Sequence, residues 1–183
     1  MANLLRSVVC LIALLSFNIF ANAGTVNYQI SWATNSGYVM EGGFSFDQSL
    51  QSAGIIHSDA LKSFHIEGYL NGESIGVWDY FSDPLTGIFN FNFDTNTNQF
   101  LTGGSSISGT GQIWNTQQGG SCDSFGFSSG SYSQGFCVDG GYMHGVFLPE
   151  STLVAVQTVP IPAGIYLFLS GLIGLGIVRD RNG

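Results

Sequence analysis

The chain has 183 residues, with 12 acidic and 4 basic side chains and a formal net charge of −8 at pH 7. Between Gly24 and Thr158 one lysine, Lys62, stands among eleven carboxylates, a balance of −10. Such a surface repels phosphate backbones, which excludes nucleic acid and leaves divalent cations and neutral or basic polymers as partners. Charged residues are only 9% of the chain, whereas glycine alone contributes 26 residues, a balance that fits an exported, turn-rich β-protein better than a cytosolic enzyme.

Residues 1–23 read as a signal peptide. Arg6 supplies the positive start, an apolar core runs from Val8 to Phe20, and Ala21-Asn22-Ala23 forms a small-residue cleavage site. The apolar run is short for a membrane span, so a signal helix cut by signal peptidase after Ala23 is expected. Cleavage also removes Cys10 and leaves two cysteines, Cys122 and Cys137. In an exported chain such a pair predicts a disulfide around a small loop, since no C-x-x-C or C-x-x-H spacing points to a metal or a catalytic thiol.

From Gly24 to Thr158 the periodicity is two, with no helical stripe. In TVNYQISWA, the residues Val26, Tyr28, Ile30 and Trp32 point one way and Asn27, Gln29 and Ser31 the other. YVMEGGFSF is a further candidate strand. KSFHIEGYL alternates Phe64, Ile66 and Gly68 against His65, Glu67 and Tyr69, and Asn71-Gly72 then predicts a two-residue hairpin into SIGVWDYF. GIFNFNFD, with Phe89, Phe91 and Phe93 on one side, is the strongest single strand signal. The polar run from Asp94 to Asn98 predicts a turn before Gln99-Phe100-Leu101. SISGTGQIW, GYMHGVFL and STLVAVQT are weaker candidates, and the Gly-Ser-rich stretch 119–135 is expected to be a loop pinned by the disulfide. Many short strands spaced by turns predict an all-β ectodomain, a sandwich or jelly-roll-like fold, over residues 24–158.

Chemistry is weakly marked in this body. Asp94, Asn96 and Asn98 place oxygen donors at alternate positions, as a calcium loop does, but Gln99 and Ser105 replace the glycine and the bidentate glutamate. A turn built from Asx side chains is the simpler reading, and no metal or other cofactor is expected. His57, His65 and His144 are far apart in sequence. No Gly-x-Ser-x-Gly elbow, phosphate loop or dinucleotide motif occurs, so no catalytic residue is assigned and the chain is read as a non-enzyme. Tyr80 and Trp114 have two readings, core side chains or an outward platform that stacks on sugar rings.

Residues 159–183 change character abruptly. Val159 to Val178 is apolar or small, about twenty residues or ~30 Å as one transmembrane helix, and Arg179 and Arg181 follow on the side held in the cytoplasm. The order Val159-Pro160-Ile161-Pro162-Ala163, Tyr166-Leu167-Phe168, Ser170-Gly171-Leu172, Gly174-Leu175 and a basic end resembles the PEP-CTERM sorting signal, in its Val-Pro-x-Pro-Ala variant. Ile161 stands where the name-giving glutamate would be, and Asp180 interrupts the basic end.

The resemblance covers only the tail. It implies a Gram-negative bacterium that makes exopolysaccharide, transient anchoring in the inner membrane, and cleavage by an exosortase. The body would then reach the cell surface or extracellular matrix. The expected function is a non-enzymatic surface or matrix protein with exopolysaccharide as its contact. The alternatives are a carbohydrate-binding module, which needs an aromatic platform, and a polysaccharide-acting enzyme, which needs paired carboxylates in a cleft.

Overall fold

The structure, a computed structural model, describes residues 24–102, 111–117, 121–140, 144–147 (backbone only) and 152–158. The leader with Ala21 and Ala23, the tail from Val159 to Arg181, and the helix expected in each lie outside the described residues. Among the described residues no helix is long and apolar enough to cross a membrane.

The body is all-β and sandwich-like. Its first sheet has the order β13-β1-β2-β4-β5, with β1 Thr25–Ala33, β2 Tyr38–Asp47, β4 Leu61–Leu70, β5 Glu73–Asp79 and β13 Val154–Thr158. The second has the order β12-β11-β10-β9-β6, with β6 Ile88–Asn90, β9 Gln112–Thr116, β10 Phe125–Ser129, β11 Ser133–Val138 and β12 His144–Phe147. A small third sheet joins β3 Ile55–Ile56, β7 Phe93–Asp94 and β8 Gln99–Phe100. Every pairing is antiparallel.

The alternation read from the sequence becomes the two faces of the first sheet. Val26, Tyr28, Ile30 and Trp32 are buried, as are Phe64 and Ile66. The β4–β5 turn is Asn71-Gly72, with φ of 53° and 90°, the left-handed values that these two residue types tolerate.

The second layer crosses the first. Phe89 contacts Phe64 and Trp78 at 5.0 and 5.4 Å, on β4 and β5. Phe91 reaches Phe44 on β2 at 5.1 Å, and Phe93 reaches Tyr28 on β1 at 4.9 Å. The stretch 89–93 therefore runs across the strands of the first sheet. β10 does the same: Phe125 lies over Gly68 and Gly76, and Phe127 meets Trp32 at 5.5 Å. Crosswise packing of two twisted sheets fills the core with edge-to-face rings, each pair adding ~0.5–1.5 kcal/mol beyond burial.

This crossing corrects two expectations. GIFNFNFD is not one strand: β6 belongs to the second sheet, β7 to the third, and Phe91-Asn92 bridges them. In the bridge the Asn92 carbonyl accepts from Leu101 N at 3.1 Å, and Gln112 adds further partners. Its side chain accepts from Asn92 N at 3.1 Å and donates to Asn92 O at 2.7 Å. Nor is 119–135 a loop, because β10 and the start of β11 lie inside it. Phe125 and Phe127 there face the core, with small residues between them.

Cys122 and Cys137 form the expected disulfide, S–S 2.07 Å and Cα–Cα 5.9 Å. It ties the approach to β10 onto β11, and a loop of this size is worth ~3 kcal/mol by chain entropy. Since Asn27 pairs with Thr158, β1 begins and β13 ends at the same end of the sandwich.

Candidate functional site

The outer face of the first sheet turns toward water, and the register decides which side chains meet on it. One cross-strand row reads Val154, Ser31, Glu41, Glu67, Val77; the next reads Val156, Gln29, Gly43, His65, Asp79. Tyr69 follows two residues after Glu67 on the same strand face. Of these, Gln29, Ser31, Glu41, His65, Glu67, Tyr69 and Val156 line a shallow depression of about 320 Å³. Gly43, beside it, lets the His65 ring lie close to the β2 backbone. A Cβ there would stand 3.1 Å from His65 Cε1 and 3.0 Å from the Tyr28 carbonyl oxygen.

Glu41 and Glu67 lie directly opposite one another on β2 and β4. Like charges in that position repel, with Cβ atoms only ~4.5–5.5 Å apart. No lysine or arginine of the body relieves them, although His65 on the same face favours the ionised Glu67. Lys62, the body's only lysine or arginine, sits 2.8 Å from Asp47, near the far end of β2. Glu67 is held below the usual glutamate range, first by the Ser74 hydroxyl, which donates to it at 2.6 Å, and then by the Tyr69 hydroxyl. The same carboxylate pushes the Tyr69 phenol up, so the phenol stays protonated.

The arrangement offers an ionised carboxylate, a second carboxylate across from it, an amide, a hydroxyl and an imidazole on one open face, with Tyr69 as the aromatic member. Groups of this kind accept hydrogen bonds from sugar hydroxyls and attract ammonium. Acid-assisted glycoside cleavage needs a carboxyl that stays protonated, and Glu67 is shifted in the opposite direction.

The residues singled out from the sequence are placed elsewhere. Trp114 has no exposed surface and is ringed by Phe64, Phe100 and Phe127 at 4.9 to 5.4 Å, so it is a core side chain and not a sugar platform. Tyr80 is half-buried, stacked on Phe89 at 4.1 Å; its neighbour Phe81 is the exposed ring, at 55%. Asp94, Asn96 and Asn98 build the β7–β8 turn. The Asp94 carboxylate accepts from Asn96 N and from the Thr97 hydroxyl, while Asn98 Oδ1 accepts from Tyr28. The side-chain oxygens of Asp94 and Asn98 are thus engaged within the fold. Among the described residues no group of three or more His, Cys, Asp or Glu is placed to hold a metal ion. His57 bonds Asn92 at 2.9 Å, away from His65, and the side chain of His144 lies outside the described residues.

The depression was not assembled from the sequence. His65, Glu67 and Tyr69 are legible there as one polar strand face, but the register that brings Glu41 and Gln29 beside them is not. No protein family, characterised protein or solved structure matches this chain.

Proposed function

We propose that this chain is an exported, non-enzymatic protein of the cell surface or extracellular matrix. On this reading the tail holds it in the inner membrane until an exosortase releases the body. The observation that carries the reading is the sequence of motifs in the tail, Val159-Pro160-Ile161-Pro162-Ala163 through Arg179 and Arg181, which begins at the residue after Thr158. The placement of the strands is compatible with it, since the start of β1 and the end of β13 share one end of the sandwich.

The test is the intact mass of the protein recovered from the surface and medium of its native host, beside a host lacking the exosortase. A chain that starts at Gly24 and lacks the residues after about Pro162, only when the exosortase is present, supports the reading. A tail retained in both hosts refutes it and leaves a single-span anchored ectodomain.

Within this function the body contacts polysaccharide through the outer face of the first sheet, not through Tyr80 and Trp114. The Glu41–Glu67 pair, which no lysine or arginine neutralises, favours a neutral or basic polymer, above all one with free amino groups. Glu41→Gln and Glu67→Gln should each weaken binding to a soluble deacetylated amino-sugar polymer, and the double variant should abolish the salt-sensitive part. Binding that is indifferent to both would remove the face from the proposal.

A further inference from the structure

We infer that β13 is a self-association edge through which two released copies join their first sheets. β13 is the terminal strand of that sheet, and among the described residues no strand pairs with its other side. Natural edge strands are guarded by charge, proline or bulges, and an unguarded one is a template for strand addition. β13 reads Val-Ala-Val-Gln-Thr, without charge or proline, and its five pairs with β1 run in unbroken register. Its outward side chains Val154 and Val156 are 41% and 56% exposed. The opposite edge, β5, also lacks proline and exposes Val77, at 60%, but differs in charge and register. It carries Glu73 and Asp79, and its ladder with β4 shifts register at Gly68/Tyr69.

A second copy is the occupant that the strand itself fits. Antiparallel pairing about Val156 sets Val156 against its equivalent and Val154 against Thr158 of the other copy, β-branched on β-branched across the sheet. Charge permits the approach. Glu41 lies on β2, two strands in from the edge, so the two copies' glutamates would be separated by five strand spacings, ~24 Å, several times the ~8 Å screening length. Val156 borders the depression on the outer face, so pairing sets two depressions side by side on one continuous sheet and makes the polysaccharide contact bivalent.

The same geometry couples assembly to release; this step rests on the function proposed above. Antiparallel pairing sends the two Thr158 ends to opposite ends of the dimer. Two tails leaving there cannot enter the same membrane. Anchored copies stay apart, and cleavage of the tail permits pairing.

The full chain tests this when reconstituted through its tail in a lipid disc, with a specific protease site placed directly after Thr158. The engineered cut replaces the exosortase. Anchored protein should remain monomeric, and protease release should double the mass seen by light scattering. Val156→Lys and Val154→Lys should each return the released protein to one-chain mass with unchanged thermal unfolding. A released wild type that stays monomeric overturns the proposal, as does a dimer indifferent to both lysines, or open-ended polymers formed by β13 against β5. If the chain does not enter the disc, the tail reading fails, while comparing wild type with Val156→Lys in solution still decides the pairing.

Discussion

Gly76→Ala is the sharpest probe of the crosswise core. Gly68 and Gly76 are paired on β4 and β5, and together they make a flat pad under Phe125 from the opposite sheet. A Cβ at Gly76 would stand 2.6, 2.9 and 3.0 Å from Phe125 Cδ2, Cγ and Cβ. A change of rotamer could move Phe125 Cγ and Cδ2 but not its Cβ, which the backbone fixes, so β10 must shift as well. A Cβ at Gly68 meets only the far end of the ring, Cε2 and Cζ at 2.5 and 2.6 Å. Overpacking of this kind costs ~1–3 kcal/mol, and alanine's lower chain entropy returns ~0.5–1 kcal/mol, leaving a net loss of ~1–2 kcal/mol at Gly76 and less at Gly68. Phe125→Ala alone should cost ~3–5 kcal/mol. In the double variant Gly76→Ala/Phe125→Ala the new methyl enters the space that the ring left, so the total should fall short of the sum by ~1–2 kcal/mol. Urea unfolding of the disulfide-intact protein followed by tryptophan fluorescence measures all four corners of the cycle. Additivity within ~0.5 kcal/mol would show that Gly76 and Phe125 do not press on each other.

Asn115→Ala should cost ~3 kcal/mol or more, because Asn115 Oδ1 accepts from the Thr86 and Gly87 amides, its Nδ2 donates to the Phe125 carbonyl, and its φ is 53°; the urea midpoint reads this. Replacing Cys122 and Cys137 by serine should lower stability by ~3 kcal/mol, matched by adding reductant to the wild type and by no further loss when the variant is reduced. For pH, Asp47 is held well below the carboxylate range by Lys62 and the Ser49 amide, and Glu67 below it by Ser74 and Tyr69. Both folded values lie under the unfolded ones, so this stability is full above pH ~4–4.5 and is lost as pH falls toward the depressed values. Both groups are open to solvent, so the slope should be shallow, and Lys62→Met should flatten Asp47's share in a urea series across acid pH.

How much of this was legible depends on what each pattern encodes. β1 and β4 could be read residue by residue, because one face of each meets the core and the other meets water. The Phe89-Phe91-Phe93 run encodes only which side is apolar. It does not say that the chain changes sheets at Asn92, since the group that makes this possible, Gln112, is twenty residues away and looks like any polar strand residue. β10 was hidden by its small residues: Gly126, Ser128 and Ser129 suggest a loop until Phe125 and Phe127 are seen on the core face. The depression depends on register, which local sequence does not carry. Glu41 and Glu67 are 26 positions apart, and nothing near either one announces the other.

Function on the proposed reading asks three things of this fold, and one strand order answers them together. Because β1 and β13 are antiparallel neighbours, the leader and the tail leave from one end of the sandwich, so a chain held by either segment stands on the membrane the same way up. Glu41 and Glu67 project from the broad face of the first sheet, at right angles to that end, where an adjacent membrane does not cover them. β13 is at once the edge of that face and the last strand before the tail, so the cut that frees the body also frees its edge from the orientation the membrane imposes. Had β13 paired on the far side of β5 instead, the tail would leave away from β1, and the acidic side chains of β5 would stand on an inner strand rather than guarding an edge. The order β13-β1-β2-β4-β5 therefore ties where the chain is anchored, which face it presents and which edge it leaves open to the same five strands.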